Sequence, residues 1–119
     1  MPHVMIIEDD AAIRRMIAHC AMDSHWRVTT LGDGRDLERL LQDEPADILL
    51  VDLGLPHLDG LSLVEGLRAN GNNIPVLVIT AYELPHLYDT VKGAGANGLL
   101  QKPLDPDELL HRMQGLLAA

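Results

Sequence analysis

In this chain, residues able to do chemistry stand where apolar runs stop. Val4-Met5-Ile6-Ile7 breaks off at Glu8-Asp9-Asp10, and Ile48-Leu49-Leu50-Val51 breaks off at Asp52. Val76-Leu77-Val78-Ile79 ends at Thr80, and Gly98-Leu99-Leu100-Gln101 ends at Lys102-Pro103. If these runs are strands of one sheet pointing the same way, three carboxylates, a hydroxyl and an ammonium meet at one edge. Crowded carboxylates repel one another, which raises their pKa values. A hard divalent cation relieves that repulsion, and Mg²⁺ commonly binds through one or two carboxylates, several waters and a phosphate. Such a set suits phosphoryl transfer onto a carboxylate. One carboxylate attacks phosphorus and forms an acyl phosphate, while cation, ammonium and hydroxyl stabilise the transferred oxygens.

The rest of the chain predicts elements that would hold this arrangement. Ile13, Met16, Ile17 and Cys20 recur at i, i+3, i+4, i+7, the stripe of an amphipathic helix, with Asp10 as its N-cap. On that stripe Cys20 reads as core rather than nucleophile. Arg27-Val28-Thr29-Thr30 is a short, more polar strand of edge character, and Leu37, Leu40 and Leu41 mark a second helix stopped near Pro45. Leu55-Pro56-His57-Leu58-Asp59-Gly60 is turn chemistry leading into a helix with Leu61, Val64 and Leu67, which ends at Asn70-Gly71-Asn72-Asn73. A helix is expected between Glu83 and Lys92, with Pro85 in its first turn. Asp105-Pro106 opens the last helix, with Leu109, Leu110, Met113, Leu116 and Leu117 facing inward. The pattern is βα repeated five times. Strands apolar throughout suit a parallel sheet covered on both faces, an open doubly wound α/β fold in which ligands bind beyond the carboxyl ends of the strands.

At 119 residues the chain is read as one domain, 1–119, and 47% hydrophobic residues suffice for a core. With 18 acidic against 9 basic residues the formal charge is −9, which repels nucleic-acid phosphates and anionic lipid. Direct nucleic-acid binding and membrane association by this segment are therefore not expected. The lone Cys20 excludes an internal disulfide, no signal peptide or membrane span is visible, and a cytoplasmic protein is the expectation. The six histidines form no ligand spacing, so no zinc site is expected.

Ile6-Ile7-Glu8-Asp9-Asp10, Val51-Asp52 through Asp59-Gly60, Ile79-Thr80-Ala81 and Gln101-Lys102-Pro103, in this order, resemble the receiver domains of two-component response regulators. The resemblance, closest in kind to chemotaxis-type regulators, covers Val4 to about Leu117. It implies a flavodoxin-like sheet of strand order 2-1-3-4-5 and a phospho-switch rather than an enzyme with an external substrate. By the same resemblance Asp52 is the phosphoacceptor, and Glu8, Asp9, Asp52 and the backbone carbonyl of Gly54 hold Mg²⁺. Thr80 is the switch hydroxyl and Lys102 pairs with the phosphoryl group, with a cis Lys102-Pro103 bond. The implied partners are a sensor histidine kinase or a histidine phosphotransfer protein, and a second copy meeting it through the fourth helix, fifth strand and fifth helix. The sequence names neither the kinase nor the output, nor whether this is a stand-alone regulator.

One departure stands out. Receivers usually carry an aromatic residue three positions before the lysine, and here that position is Leu99. Tyr82, two residues after Thr80, or movement of the loop before the fourth helix, is the expected substitute carrier of the signal. Two other functions compete. A degenerate receiver that only binds proteins would lose the acceptor, an acid-pocket residue or the lysine, and all are present. An aspartyl-phosphate phosphatase of the haloacid-dehalogenase kind would place an acid two residues after the nucleophile, where Gly54 stands.

Overall fold

The computed structural model describes residues 1–55 and 59–118, so the expected turn from Leu55 to Gly60 lies partly outside the described residues, at Pro56, His57 and Leu58. Five strands, β1 (His3–Ile7), β2 (Arg27–Leu31), β3 (Ile48–Asp52), β4 (Val76–Thr80) and β5 (Gly98–Gln101), alternate with five helices. These are α1 (Ala11–Asp23), α2 (Leu37–Asp43), α3 (Gly60–Ala69), α4 (Leu87–Ala94) and α5 (Pro106–Ala118). All four strand pairings are parallel, in the order β2-β1-β3-β4-β5. The doubly wound, flavodoxin-like arrangement expected from the sequence is thus the observed one.

Parallel pairing forces every connection to cross back over a face of the sheet, which buries the central strands on both sides. β1, β3 and β4 are buried at every position, whereas edge strand β2 is half-buried or exposed throughout. The two-residue period of a strand divides these apolar runs between two cores. Met5, Ile7, Leu49, Val51, Val76 and Val78 meet Leu37 of α2, Leu63, Val64 and Leu67 of α3, and Val91 of α4. Val4, Ile6, Ile48, Leu50, Leu77 and Ile79 meet Ile17 and Ala21 of α1 and Leu109 and Met113 of α5. Strand order reverses between β1 and β3, so the loops after them diverge to opposite sides and open a crevice between Glu8 and Asp52.

Local signals behave as their chemistry demands. The Asp10 side chain accepts from the backbone N–H groups of Ala12 and Ile13, and the Asp59 side chain accepts from that of Ser62, capping α1 and α3. Gly60 follows, the most closely crowded glycine among the described residues. A Cβ there would lie 2.6 Å from the carbonyl oxygen of Asp52 and 2.9 Å from Leu53 Cα. The start of α3 is thereby seated against the backbone that carries Asp52. Gly60→Ala is expected to cost about 1–3 kcal/mol by overpacking, read as a shift in urea midpoint, and to displace Asp52.

Three expectations need correction. α4 begins at Leu87, not near Glu83, and Pro85 precedes it instead of lying in its first turn. Proline disfavours helical backbone at the residue before it, and His86, at φ 61°, holds a left-handed conformation at the N-cap. Leu117 does not face inward but is 42% exposed, because the α5 stripe is spent on Leu109 and Met113, with Leu110 and Leu116 at its margin. Cys20 is half-buried at the edge of the α1 stripe and lies outside both cores. Among the described residues, no helix is long and apolar enough to cross a membrane.

Candidate functional site

Five of the six residues singled out from the sequence stand at or just beyond the carboxyl ends of β1, β3, β4 and β5, and Gly54 follows in the loop after β3. Glu8 is fully buried, Asp52 and Thr80 are buried, and Asp9 is exposed. One carboxylate oxygen from each of Glu8, Asp9 and Asp52 lies within 4.8 Å of the others. Lys102, the first residue after β5, reaches in from the side. Its Nζ is 2.6 Å from Glu8 Oε1 and 3.5 Å from Asp52 Oδ2.

The first of these contacts is ionic rather than a well-directed hydrogen bond. Glu8 Oε1 is sealed from solvent and has no aligned donor. Burial, and a proton shared with Asp52, push the Glu8 carboxyl up to about 7, although Lys102 and the Asp10 backbone N–H pull the other way. Burial works against the Lys102 ammonium, but Glu8 and Asp52 outweigh it and raise its pKa. The site therefore holds more negative charge than one ammonium balances. It is all oxygen in its donors and open to solvent at Asp9, which is the chemistry of a hard divalent cation.

The backbone fixes each group. The guanidinium of Arg14 donates to the Glu8 carbonyl at 2.8 Å, the Asp10 N–H donates to Glu8 Oε2 at 3.3 Å, and the Gly54 N–H donates to Asp52 Oδ1 at 3.3 Å. Lys102 donates its own N–H to the Thr80 carbonyl at 2.7 Å, and the Lys102-Pro103 bond is cis. The Thr80 hydroxyl is engaged elsewhere, accepting from the Tyr82 N–H at 3.0 Å. Tyr82 itself lies across the mouth of the site. A Cβ on Gly54 would be 3.5 Å from its hydroxyl.

Sequence reasoning found the acids, the hydroxyl and the lysine because each interrupts an apolar strand. It missed Arg14, whose role depends on the first turn of α1 folding back over the end of β1. It also passed over His3 as one of several scattered histidines. His3 is buried at the opposite end of the sheet, with Nδ1 donating to the Pro45 carbonyl at 3.0 Å and Nε2 at 2.8 Å from the Thr29 hydroxyl. An alternating strand pattern would have marked it only as inward-facing.

Comparison with known proteins agrees with this geometry. Residues 4–114 match the family described as the response regulator receiver domain. The chain is 37% identical over 117 residues to the virulence transcriptional regulatory protein PhoP of Salmonella typhimurium, covering 98% of this chain and 52% of that protein. It thus spans about half the length of the curated relatives it matches. The receiver domain of the Francisella response regulator 1452 superposes with a TM-score of 0.93 at 28% identity, over 99% of this chain and 98% of that one. The BeF3-activated N-terminal receiver domain of Klebsiella pneumoniae RstA gives a TM-score of 0.91 at 25% identity, over 98% and 99% of the two chains. With the strand order, the acid pocket and the lysine beside it, these matches mean that the chain belongs to the response regulator receiver domain family.

Proposed function

We propose that this receiver domain accepts a phosphoryl group on Asp52 from a phosphohistidine donor, with Mg²⁺ bound at Glu8, Asp9, Asp52 and the Gly54 carbonyl. The observation that carries the reading is the three-carboxylate cluster within 4.8 Å, with Lys102 against two of its members. Three carboxylates against one ammonium leave negative charge that a divalent cation would balance. When bound, Mg²⁺ supplies charge neutralisation and a coordination position for a phosphoryl oxygen.

The chain's own residues do the rest. Asp52 presents Oδ2 to phosphorus, while its Oδ1 is steadied by the Gly54 N–H. As the P–O bond forms, the P–N bond to the donor imidazole breaks, and the electron pair leaves with the imidazole. Lys102 holds the negative charge that remains on the transferred oxygens. Thr80 turns its hydroxyl from the Tyr82 N–H toward the phosphoryl group. The added charge of about −1.5 to −2 then favours a state in which the loops after β3 and β4 close on it.

On this reading the domain catalyses only its own phosphorylation and dephosphorylation. Its partners are a sensor histidine kinase or histidine phosphotransfer protein in the cytoplasm, and a second copy through α4, β5 and α5. PhoP is a transcriptional regulatory protein that extends beyond the matched stretch; the −9 formal charge of this domain leaves any nucleic-acid contact to another region.

Intact mass after incubation with Mg²⁺ and acetyl phosphate tests this. One added phosphoryl group is expected, absent without Mg²⁺ and absent in Asp52→Asn. An adduct persisting in Asp52→Asn would move the acceptor elsewhere, and none in the parent protein under beryllofluoride or acetyl phosphate would leave a phosphate-independent interaction domain.

A further inference from the structure

Beside Thr80, on the α4 side of the sheet end, a cleft of about 250 Å³ opens between β4, β5 and the start of α4. Its walls include Leu84, Leu87, Leu99, Tyr88 and Gln101. A cavity of about 150 Å³ lined by apolar side chains is enough to take up benzene, so a phenol ring fits this one. Tyr82 stands at its rim with its side chain largely in solvent, 53% exposed, and its hydroxyl over Gly54. Among the described residues, two hydrogen bonds hold its peptide. Its N–H donates to the Thr80 hydroxyl at 3.0 Å, and its carbonyl accepts from Gln101 Nε2 at 2.9 Å.

We propose that Tyr82 is the moving part of the switch: when Asp52 is phosphorylated, its ring leaves the mouth of the site and enters the cleft beside Leu99. The proposal rests on the reading of Asp52 as phosphoacceptor. Two consequences of phosphorylation drive the movement. Rotating Thr80 to the staggered position that faces the phosphoryl group carries its oxygen away from the Tyr82 N–H, which releases one of the two tethers. The phosphoryl group also occupies space next to Gly54, beneath the Tyr82 hydroxyl. The ring then exchanges solvent for Leu87 and Leu99, while its hydroxyl stays near the polar groups of Glu83, His86 and Gln101, the disposition that buried tyrosines favour. The relay runs through the residue after next to the threonine, and Leu99 provides the room for it.

The test is ¹⁹F NMR of the whole chain carrying 3-fluorotyrosine, its two tyrosine signals assigned with Tyr88→Phe, before and after Mg²⁺ and beryllofluoride. The fluorines of bound beryllofluoride report occupancy of Asp52 independently. With the analogue bound, the Tyr82 signal is expected to shift and its broadening by a soluble gadolinium chelate to fall several-fold. In Leu99→Trp, which fills the cleft, the analogue should bind while Tyr82 stays as accessible as before. Bound beryllofluoride with Tyr82 still fully accessible in the parent protein overturns the proposal alone. No bound beryllofluoride overturns the phosphoacceptor reading, and the proposal with it.

Discussion

Lys102→Met is expected to lower the stability of the metal-free protein by about 3 kcal/mol, the lower end of the range for breaking a buried ion pair. The Lys102 side chain is 15% exposed, those of Glu8 and Asp52 are 0% and 10% exposed, and its ammonium contacts both. Methionine keeps most of the aliphatic stem and its packing, so the loss isolates the charge. The cost stays at the lower end because Glu8 has an escape: its carboxyl, already at about 7, takes up a proton and climbs further. Saturating Mg²⁺ is expected to return much of the loss, since a ligand that binds only the folded state at 100 times its Kd adds about 2.7 kcal/mol. Urea midpoints of both proteins, with and without Mg²⁺, give all four numbers. A loss below about 1 kcal/mol, the range of exposed pairs, would mean that Lys102 adds little to the resting fold. Phosphorylation by acetyl phosphate should be severely slowed in the same variant, because no other ammonium or guanidinium among the described residues contacts the Asp52 carboxylate.

The residues that were legible in the sequence share a physical reason. A parallel strand buried on both faces tolerates no charge, so a carboxylate at its end marks both the end of the strand and the start of the site. Glu8, Asp52, Thr80 and Lys102 all announce themselves in this way. The helix cap at Asp10 was equally readable, since a side-chain oxygen before an apolar stripe satisfies free N–H groups. What was hidden depends on contacts between elements distant in sequence. Thr80 was identified, but not that Tyr82 occupies its hydroxyl, which requires the local path of the loop after β4. The beginning of α4 was misplaced because proline is compatible both with a first helical turn and with the extended chain before it. His86 gives no sign in its side chain of a left-handed backbone. Cys20 fell on the right helical stripe but at its edge, where periodicity alone does not separate half-buried from buried.

Glu8 should make the metal-free domain lose stability as pH rises through the neutral range. Its folded-state pKa of about 7 stands above the ordinary 4.5. Between those values the folded protein holds a proton on Glu8 that the unfolded chain has released, so stability falls with rising pH. The contribution is fully present below pH 4.5 and is lost as pH passes 7. One proton corresponds to a slope of about 1.4 kcal/mol per pH unit. The raw profile also carries the titration of the other ionisable groups. Glu8→Gln separates them, because glutamine keeps the shape and cannot titrate. The difference between parent and Glu8→Gln urea midpoints, followed from pH 5 to 8 in chelator, is expected to favour the parent at the acid end and the variant at the alkaline end. A flat difference would mean that Lys102 alone keeps Glu8 ionised throughout. Repeating the series in Mg²⁺ should flatten the difference and favour the parent at every pH above 7. A cation that requires the ionised carboxylate removes the proton for which burial and Asp52 had raised the affinity, and the destabilisation stored at Glu8 becomes metal affinity instead.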